Sequence, residues 1–401
     1  VYMEYFITFV LALIVAFSAT PIAKKIALKI GAVDIPKDER RVHSRPIALF
    51  GGAAIIAGFA VSIAYNLISA SDIFAPNREL LGLMAGLAII AGMGIADDIK
   101  HLKAPVKLAF QLAAALVVIL LSDTRIKVLT NPFSSEGPFA LNIYVSYALT
   151  LLWIAGVTNA INLIDGLDGL AAGVASISAL SLFFVSLTDT GMPHDPYISI
   201  ITAALAGAAL GFLPFNFNPA KIFMGETGAA FLGFTLGVVS IQGMLKSYAA
   251  ISIAVPFLVL GLPLFDTGFA ILRRLAKGRP VMAGDRSHIH HRLLDMGLSH
   301  KQSVVVMYIA SAMFGLCAVV MANKGIFSAI ILLISISVFL IGGARYMNEI
   351  NGKSGEHYEN PGGDTAPDPG SCCYIETNET EDGKGLEKGK DNGDAVRHEK
   401  A

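Results

Sequence analysis

At 401 residues the chain is long enough for two or three soluble domains, but 54% hydrophobic and 15% charged residues, with a mean hydropathy of +0.62, exclude a soluble surface. Thirty Lys and Arg against 31 Asp and Glu leave a net charge of −1, so no overall basic field argues for a nucleic-acid partner. The three cysteines, Cys317 in an apolar run and Cys372 and Cys373 side by side in a polar tail, exclude a disulfide framework.

A helix needs about 20 mostly apolar residues to cross a bilayer. Such stretches predict about eleven transmembrane helices, over 4–23, 48–69, 80–96, 107–122, 141–158, 170–187, 197–214, 228–245, 249–271, 303–321 and 325–343. The expected fold is an all-α, polytopic integral membrane bundle occupying residues 1–345. The first stretch does not read as a cleaved signal, because basic residues follow its apolar run rather than precede it. The connections 24–47, 97–107, 159–169, 215–227 and 272–302 carry 18 Lys and Arg, against five on the opposite side (Arg78, Arg125, Lys127, Lys246, Lys324). The positive-inside rule then makes the first set cytoplasmic and puts the N-terminus outside. Residues 346–401 are expected to be a disordered cytoplasmic tail: positions 348–401 hold 13 acids, six bases and no apolar run able to offset the entropy of ordering. Without that charge of −7 the membrane body stands at +6, which suits anionic lipids and an anionic substrate.

The unusual polar residues gather at the predicted inner boundary, where acids are functional candidates by default and helix caps are the bland alternative. Asp97-Asp98 closes the third span, followed by His101, Lys107 and Gln111. Two adjacent carboxylates call for a cation or a shared proton, or else they sit in a solvated loop. Asn159, Asn162, Asp165 and Asp168 recur every third residue, a polar stripe if the helix continues, with Gly166 and Gly169 letting the backbone break or a ligand approach. Between Asn216 and Gly228 lie amides, Lys221, Phe223 and Glu226; the set suits a nucleotide with a ring on the base and a carboxylate on a metal, and equally suits turn formation and interfacial packing. In His288-Ile289-His290-His291-Arg292, helical spacing puts His288, His291 and Arg292 on one face, a polyanion site rather than a zinc site because flanking arginines oppose a cation. The first inner loop adds His43 and Arg45, as ligand contacts or as topology determinants.

Asp97-Asp98 ahead of Lys107 and Gln111, the Asn159–Gly169 run, Asn216–Gly228 and His288–Arg292 together resemble, in order and spacing over residues 1–343, the signature loops of the polyprenyl-phosphate N-acetylhexosamine-1-phosphate transferases. The resemblance implies ten or eleven membrane helices and transfer of a sugar 1-phosphate from a UDP-sugar to undecaprenyl phosphate, with UMP released and Mg2+ (or Mn2+) bound. It implies that Asp97 or Asp98 activates the lipid phosphate, and that Asp98, Asp165, Asp168 and Glu226 surround the metal and the diphosphate. Lys107, Asn159, Asn162, Asn216 and Phe223 would serve the substrates, Phe223 by stacking on uracil, and His288, His290, His291 and Arg292 would hold diphosphate and sugar. The His-Ile-His-His-Arg run looks like the N-acetylglucosamine branch, which makes UDP-GlcNAc the expected donor. The phospho-N-acetylmuramoyl-pentapeptide transferases are the alternative inside the class and a secondary transporter is the alternative outside it. A plasma-membrane location with the site on the cytoplasmic face is expected, and a homodimer is left open. Departures from the pattern are Glu226 in place of the usual Asp, His101 where some relatives have a third acid, and Ala48-Leu49 before Gly51-Gly52.

Overall fold

A computed structural model describes residues 1–34, 46–70, 72–129, 139–188, 196–246, 254–278 and 288–335. The chain divides into residues 1–343 and 344–401. The expected tail, with Cys372 and Cys373, lies outside the described residues, as do His43 and Arg45.

The described part is a helical bundle: α1 (Tyr2–Ile30), α2 (Gly51–Ser69), α3 (Arg78–Lys100), α4 (Ala104–Ser122), α5 (Ile143–Ile164), α6 (Leu170–Ser186), α7 (Pro196–Asn216), α8 (Gly225–Lys246), α9 (Ala254–Val259), α10 (Gly261–Ala276), α11 (Ile289–Asp295) and α12 (His300–Lys324). A further short apolar helix, α13, covers Ile326–Ser335. Two antiparallel pairs of two-residue strands, β1 (Val33–Asp34) with β2 (Ile47–Ala48) and β3 (Val128–Leu129) with β4 (Phe139–Ala140), are the β-structure among the described residues. Seven described helices, α1–α5, α7 and α12, have the length and apolar character for a membrane crossing.

Several helices outlast their apolar runs. Charge ends hydrophobicity without ending a helix, so α1 continues through Lys24 and Lys25 to a left-handed Gly31, and α3 continues through Asp97 and Asp98 to a left-handed His101. The expected span 249–271 needs correction. Its described part is two helices, α9 and α10, meeting at Leu260. Pro263 has no N–H to offer the carbonyl of Val259, and the Ser178 hydroxyl takes that carbonyl instead at 3.0 Å.

α8 sits at the centre, packed against α2, α3, α5, α6, α7 and α9. Its residues 229–242 are buried all round, which accommodates Thr235, Ser240 and Gln242 in the interior. Trp153 and Tyr197 serve two of these, donating to Ser240 Oγ at 3.0 Å and Gln242 Oε1 at 3.2 Å. The start of α2 lies backbone to backbone on the start of α8: the N–H groups of Gly51 and Gly52 donate to the carbonyls of Phe223 and Met224 at 2.9 and 2.8 Å. A Cβ on Gly52 would collide with the backbone of Gly228. We therefore expect Gly52→Ala to destabilise the detergent-solubilised protein by about 1–3 kcal/mol, whereas Gly92→Ala, which meets open space, leaves thermal unfolding unchanged or slightly raised.

Candidate active site

The site forms where α1, α3 and α5 terminate and α8 begins. Asp98, 5% exposed, turns its carboxylate onto the start of α8: Oδ1 accepts the Glu226 N–H at 2.7 Å, and Oδ2 accepts the Thr227 hydroxyl at 2.6 Å and its N–H at 3.3 Å. This is a charge-assisted helix cap supplied by a neighbouring helix. Gly225, at φ +71°, permits it, since a Cβ there would lie 2.6 Å from Asp98 Oδ2 and from the Leu49 carbonyl. Asp97 accepts the Leu102 N–H at 2.7 Å and lies 3.6 Å from Lys107 Nζ. Lys107 also binds Glu226 Oε2 at 2.9 Å, and Asn162 Nδ2 straddles both oxygens of Glu226 at 3.0 and 3.1 Å. Asn159 is occupied by Gln111 at 2.6 Å and by its own helix.

The expected four-residue stripe is broken. α5 ends at Ile164, so Asn159 faces α4, Asn162 faces α8, and the two acids lie in the following loop. Asn216 holds that loop, accepting the Gly169 N–H at 3.1 Å and donating to the Ile222 carbonyl at 3.1 Å. Asp168 Oδ2 accepts from Asn218 Nδ2 and from the Ala220 N–H, both at 3.0 Å. From α12, His300 Nε2 accepts the Asp168 N–H at 2.8 Å and the Tyr308 hydroxyl donates to the Gly169 carbonyl at 2.6 Å. The carboxylate of Asp165 has no hydrogen-bond or ion-pair partner among the described residues, while its backbone N–H donates to the Asn162 carbonyl at 3.2 Å. Burial, then the like charges of Glu226, Asp168 and Asp98, push its carboxyl up to about 7.

The histidines are divided rather than shared on one face. His288 precedes α11 in extended backbone (φ −63°, ψ 153°), so helical spacing does not apply to it. It is buried, with Nδ1 2.9 Å from Asp266 Oδ2. His290 is also buried, with Nε2 packed where a side chain on Gly166 would be. Burial, then the neighbouring His291, lowers its imidazole to about 4, so it is neutral. His291 reaches the cavity, and Arg292 is exposed outside its lining.

The cavity, about 860 Å³, is lined by the acids Asp165, Asp168 and Glu226, by Asn162, Asn216 and Phe223, and by Lys24, Lys221, His291 and His300. Asp97, Asp98, Lys107, Asn159, His288, His290 and Arg292 do not line it. Among the described residues no three carboxylates or imidazoles converge as a ready metal cage. The donor chemistry nevertheless fits a hard cation that keeps water and phosphate oxygens and takes one or two carboxylates from the protein. Asp165, unpartnered and pressed by like charge, is the group most in need of one. Sequence reasoning missed Asp266, His300 and Tyr308; a lone acid inside the predicted span 249–271 was the available signal for Asp266, and the α12 residues offered none.

The sign of the Asp165 shift is testable. Its pKa is raised in the fold, so the folded state holds more protons than the unfolded chain between about pH 4 and 7, and stability falls as pH rises through that window. We expect Asp165→Asn to raise the melting temperature by a few degrees at pH 8 in divalent-free buffer, with the gain vanishing near pH 4.

The model for the family described as Glycosyl transferase family 4 matches residues 80–244, from α3 through most of α8. A Bacillus subtilis protein named "Probable undecaprenyl-phosphate N-acetylglucosaminyl 1-phosphate transferase" is 39% identical over 88% of this chain and 94% of its own length. The Mycobacterium tuberculosis protein named decaprenyl-phosphate N-acetylglucosaminephosphotransferase is 32% identical over 74% of this chain and 78% of its own. A Salmonella typhi protein named undecaprenyl-phosphate alpha-N-acetylglucosaminyl 1-phosphate transferase is 28% identical over 73% and 77%. The chain belongs to glycosyl transferase family 4, in the branch whose named members are N-acetylglucosaminyl 1-phosphate transferases.

Proposed function

We propose that the chain transfers N-acetylglucosamine 1-phosphate from UDP-GlcNAc to undecaprenyl phosphate, releasing UMP, on the cytoplasmic face of the plasma membrane. The observation that carries this reading is one cavity at the ends of membrane helices, lined by Asp165, Asp168 and Glu226 together with Lys24, Lys221 and His291. A sugar nucleotide diphosphate uses both charge types, and its volume suits the cavity. The names of the similar proteins supply the lipid acceptor, and the concentration of Lys and Arg in the connections on this side supports a cytoplasmic face.

An oxygen of the lipid phosphate attacks the sugar-linked phosphorus. The bond from that phosphorus to the bridging oxygen breaks, and UMP leaves with the bridging oxygen. Lys24, Lys221 and His291 neutralise phosphate charge, and the cavity walls keep acceptor, phosphorus and leaving oxygen in line. Phe223 is positioned to cover the base from the cavity wall, its backbone held by β2 through the Ala48 carbonyl at 2.9 Å. Asp165, with Asp168 or Glu226, would hold magnesium, which when bound supplies charge stabilisation to the phosphate oxygens. Asp98 is bonded to the start of α8, and Asp97 to the α3–α4 turn. Their part is to fix Glu226 and Lys107.

Purified protein offered UDP-GlcNAc, UDP-GalNAc and UDP-muramoyl-pentapeptide in turn, with undecaprenyl phosphate, should release UMP and form lipid-linked sugar with UDP-GlcNAc. EDTA should lower the rate by at least ~100-fold and added magnesium restore it. Turnover of the pentapeptide donor instead, or no UMP with any donor, would overturn the reading.

A further inference from the structure

Asp266 lies on α10, whose neighbouring Phe265 and Phe269 are exposed on the bundle surface, yet its own side chain is 2% exposed. A carboxylate in such surroundings is costly unless every oxygen is satisfied. Here both are: Oδ2 meets His288 Nδ1 at 2.9 Å and Oδ1 accepts the Ile289 N–H at 2.8 Å. One side chain therefore holds the imidazole of His288 and the first residue of α11 together.

The consequences run outward to the cavity. With a carboxylate on Nδ1, the imidazole carries its proton there, and Nε2 is the nitrogen left over. His288 Nε2 makes no hydrogen bond with a described residue. The same clamp fixes the register of α11, so that His290 packs on Gly166 beside Asp165 while His291 reaches the cavity wall. His288 and His290 stack with ring centres 5.8 Å apart, and His290 and His291 lie 4.3 Å apart, so a rotation of His288 displaces the whole row.

We propose that Asp266 is a positioning residue for the transfer reaction: it acts through His288, setting the tautomer of that imidazole and the placement of the histidine row against the acidic loop. The proposal rests on the transfer reading above for its rate prediction, but its structural half does not.

The variant that separates this role from simple scaffolding is Asp266→Asn. The amide oxygen can still accept the Ile289 N–H, so the α11 cap survives. The amide nitrogen then faces His288 Nδ1 as a donor, which forces the proton to Nε2. In histidine-labelled protein, 15N NMR should find the wild-type His288 protonated on Nδ1 and the variant protonated on Nε2, whatever the enzyme activity. In the transfer assay Asp266→Asn should fold with an unchanged melting temperature and lose about 10- to 100-fold in kcat. Asp266→Glu, which keeps the charge and acceptor, should recover part of that loss. His288→Ala in the Asp266→Asn background should cost nothing beyond His288→Ala alone, because both changes break one unit.

A wild-type His288 protonated on Nε2, wild-type turnover in Asp266→Asn, or losses that multiply in the double variant would each overturn the proposal. If wild-type protein transfers no sugar phosphate at all, the transfer reading fails and the NMR result still decides the Asp266–His288 arrangement. Should Asp266→Asn fail to fold, the tautomer in the wild-type protein and the Asp266→Glu rate remain as tests.

Discussion

The buried carboxylate of Asp98 on the first turn of α8 is the contact from which the rest of the site is built. It places carboxylate oxygens on N–H groups that would otherwise be orphaned inside a membrane bundle, and so ties the end of α3 to the start of the central helix. Gly52 with Gly228, and Gly94 against Thr227, let α2 and α3 approach that turn at backbone distance. Glu226 follows as a consequence. Its backbone is fixed by Asp98, its side chain is bridged to α4 by Lys107 and to α5 by Asn162, and the three helices share one register at the cavity.

On that frame the acidic loop is held by α7, the segment that follows α7, and α12. Asn216 from α7, Asn218 and the Ala220 N–H after it, and His300 and Tyr308 from α12 bind the backbone or the carboxylate of residues 168 and 169. None of these partners reaches the carboxylate of Asp165, which is left to face its like-charged neighbours. That is an unfavourable arrangement for folding and a favourable one for receiving a cation with an anionic ligand, the exchange of stability for function that sites of this kind show. Of the histidines at α11, His291 lines the cavity, and His288 and His290 are buried outside its lining.

The residue types that converge were legible in the sequence because acids, amides and imidazoles beside apolar spans have few neutral explanations. Asp165, Asp168, Asn216, Phe223, Glu226 and His291 do share one cavity. Their division of labour was not legible. Asp97-Asp98 reads identically as a metal pair and as a cap, and the choice depends on α8 arriving across 128 residues of sequence. A three-residue spacing implies one face only while the helix lasts, and α5 stops at Ile164. The same reasoning grouped His288 with His291 and Arg292, although His288 precedes α11. Residues 249–271 read as one span because apolarity carries no record of the hydrogen bond that Pro263 removes.

On the function proposed above, Asp165 and its neighbours share one divalent ion and one nucleotide diphosphate. Manganese, bound in place of magnesium to the purified protein with UDP, gives the most direct test, through pulsed electron–nuclear double resonance at the 31P frequency. A single bound Mn2+ should show 31P coupling from the diphosphate, lost in Asp165→Asn while the helical circular dichroism is retained. Bound manganese without phosphorus coupling, or coupling unchanged in Asp165→Asn, would contradict it.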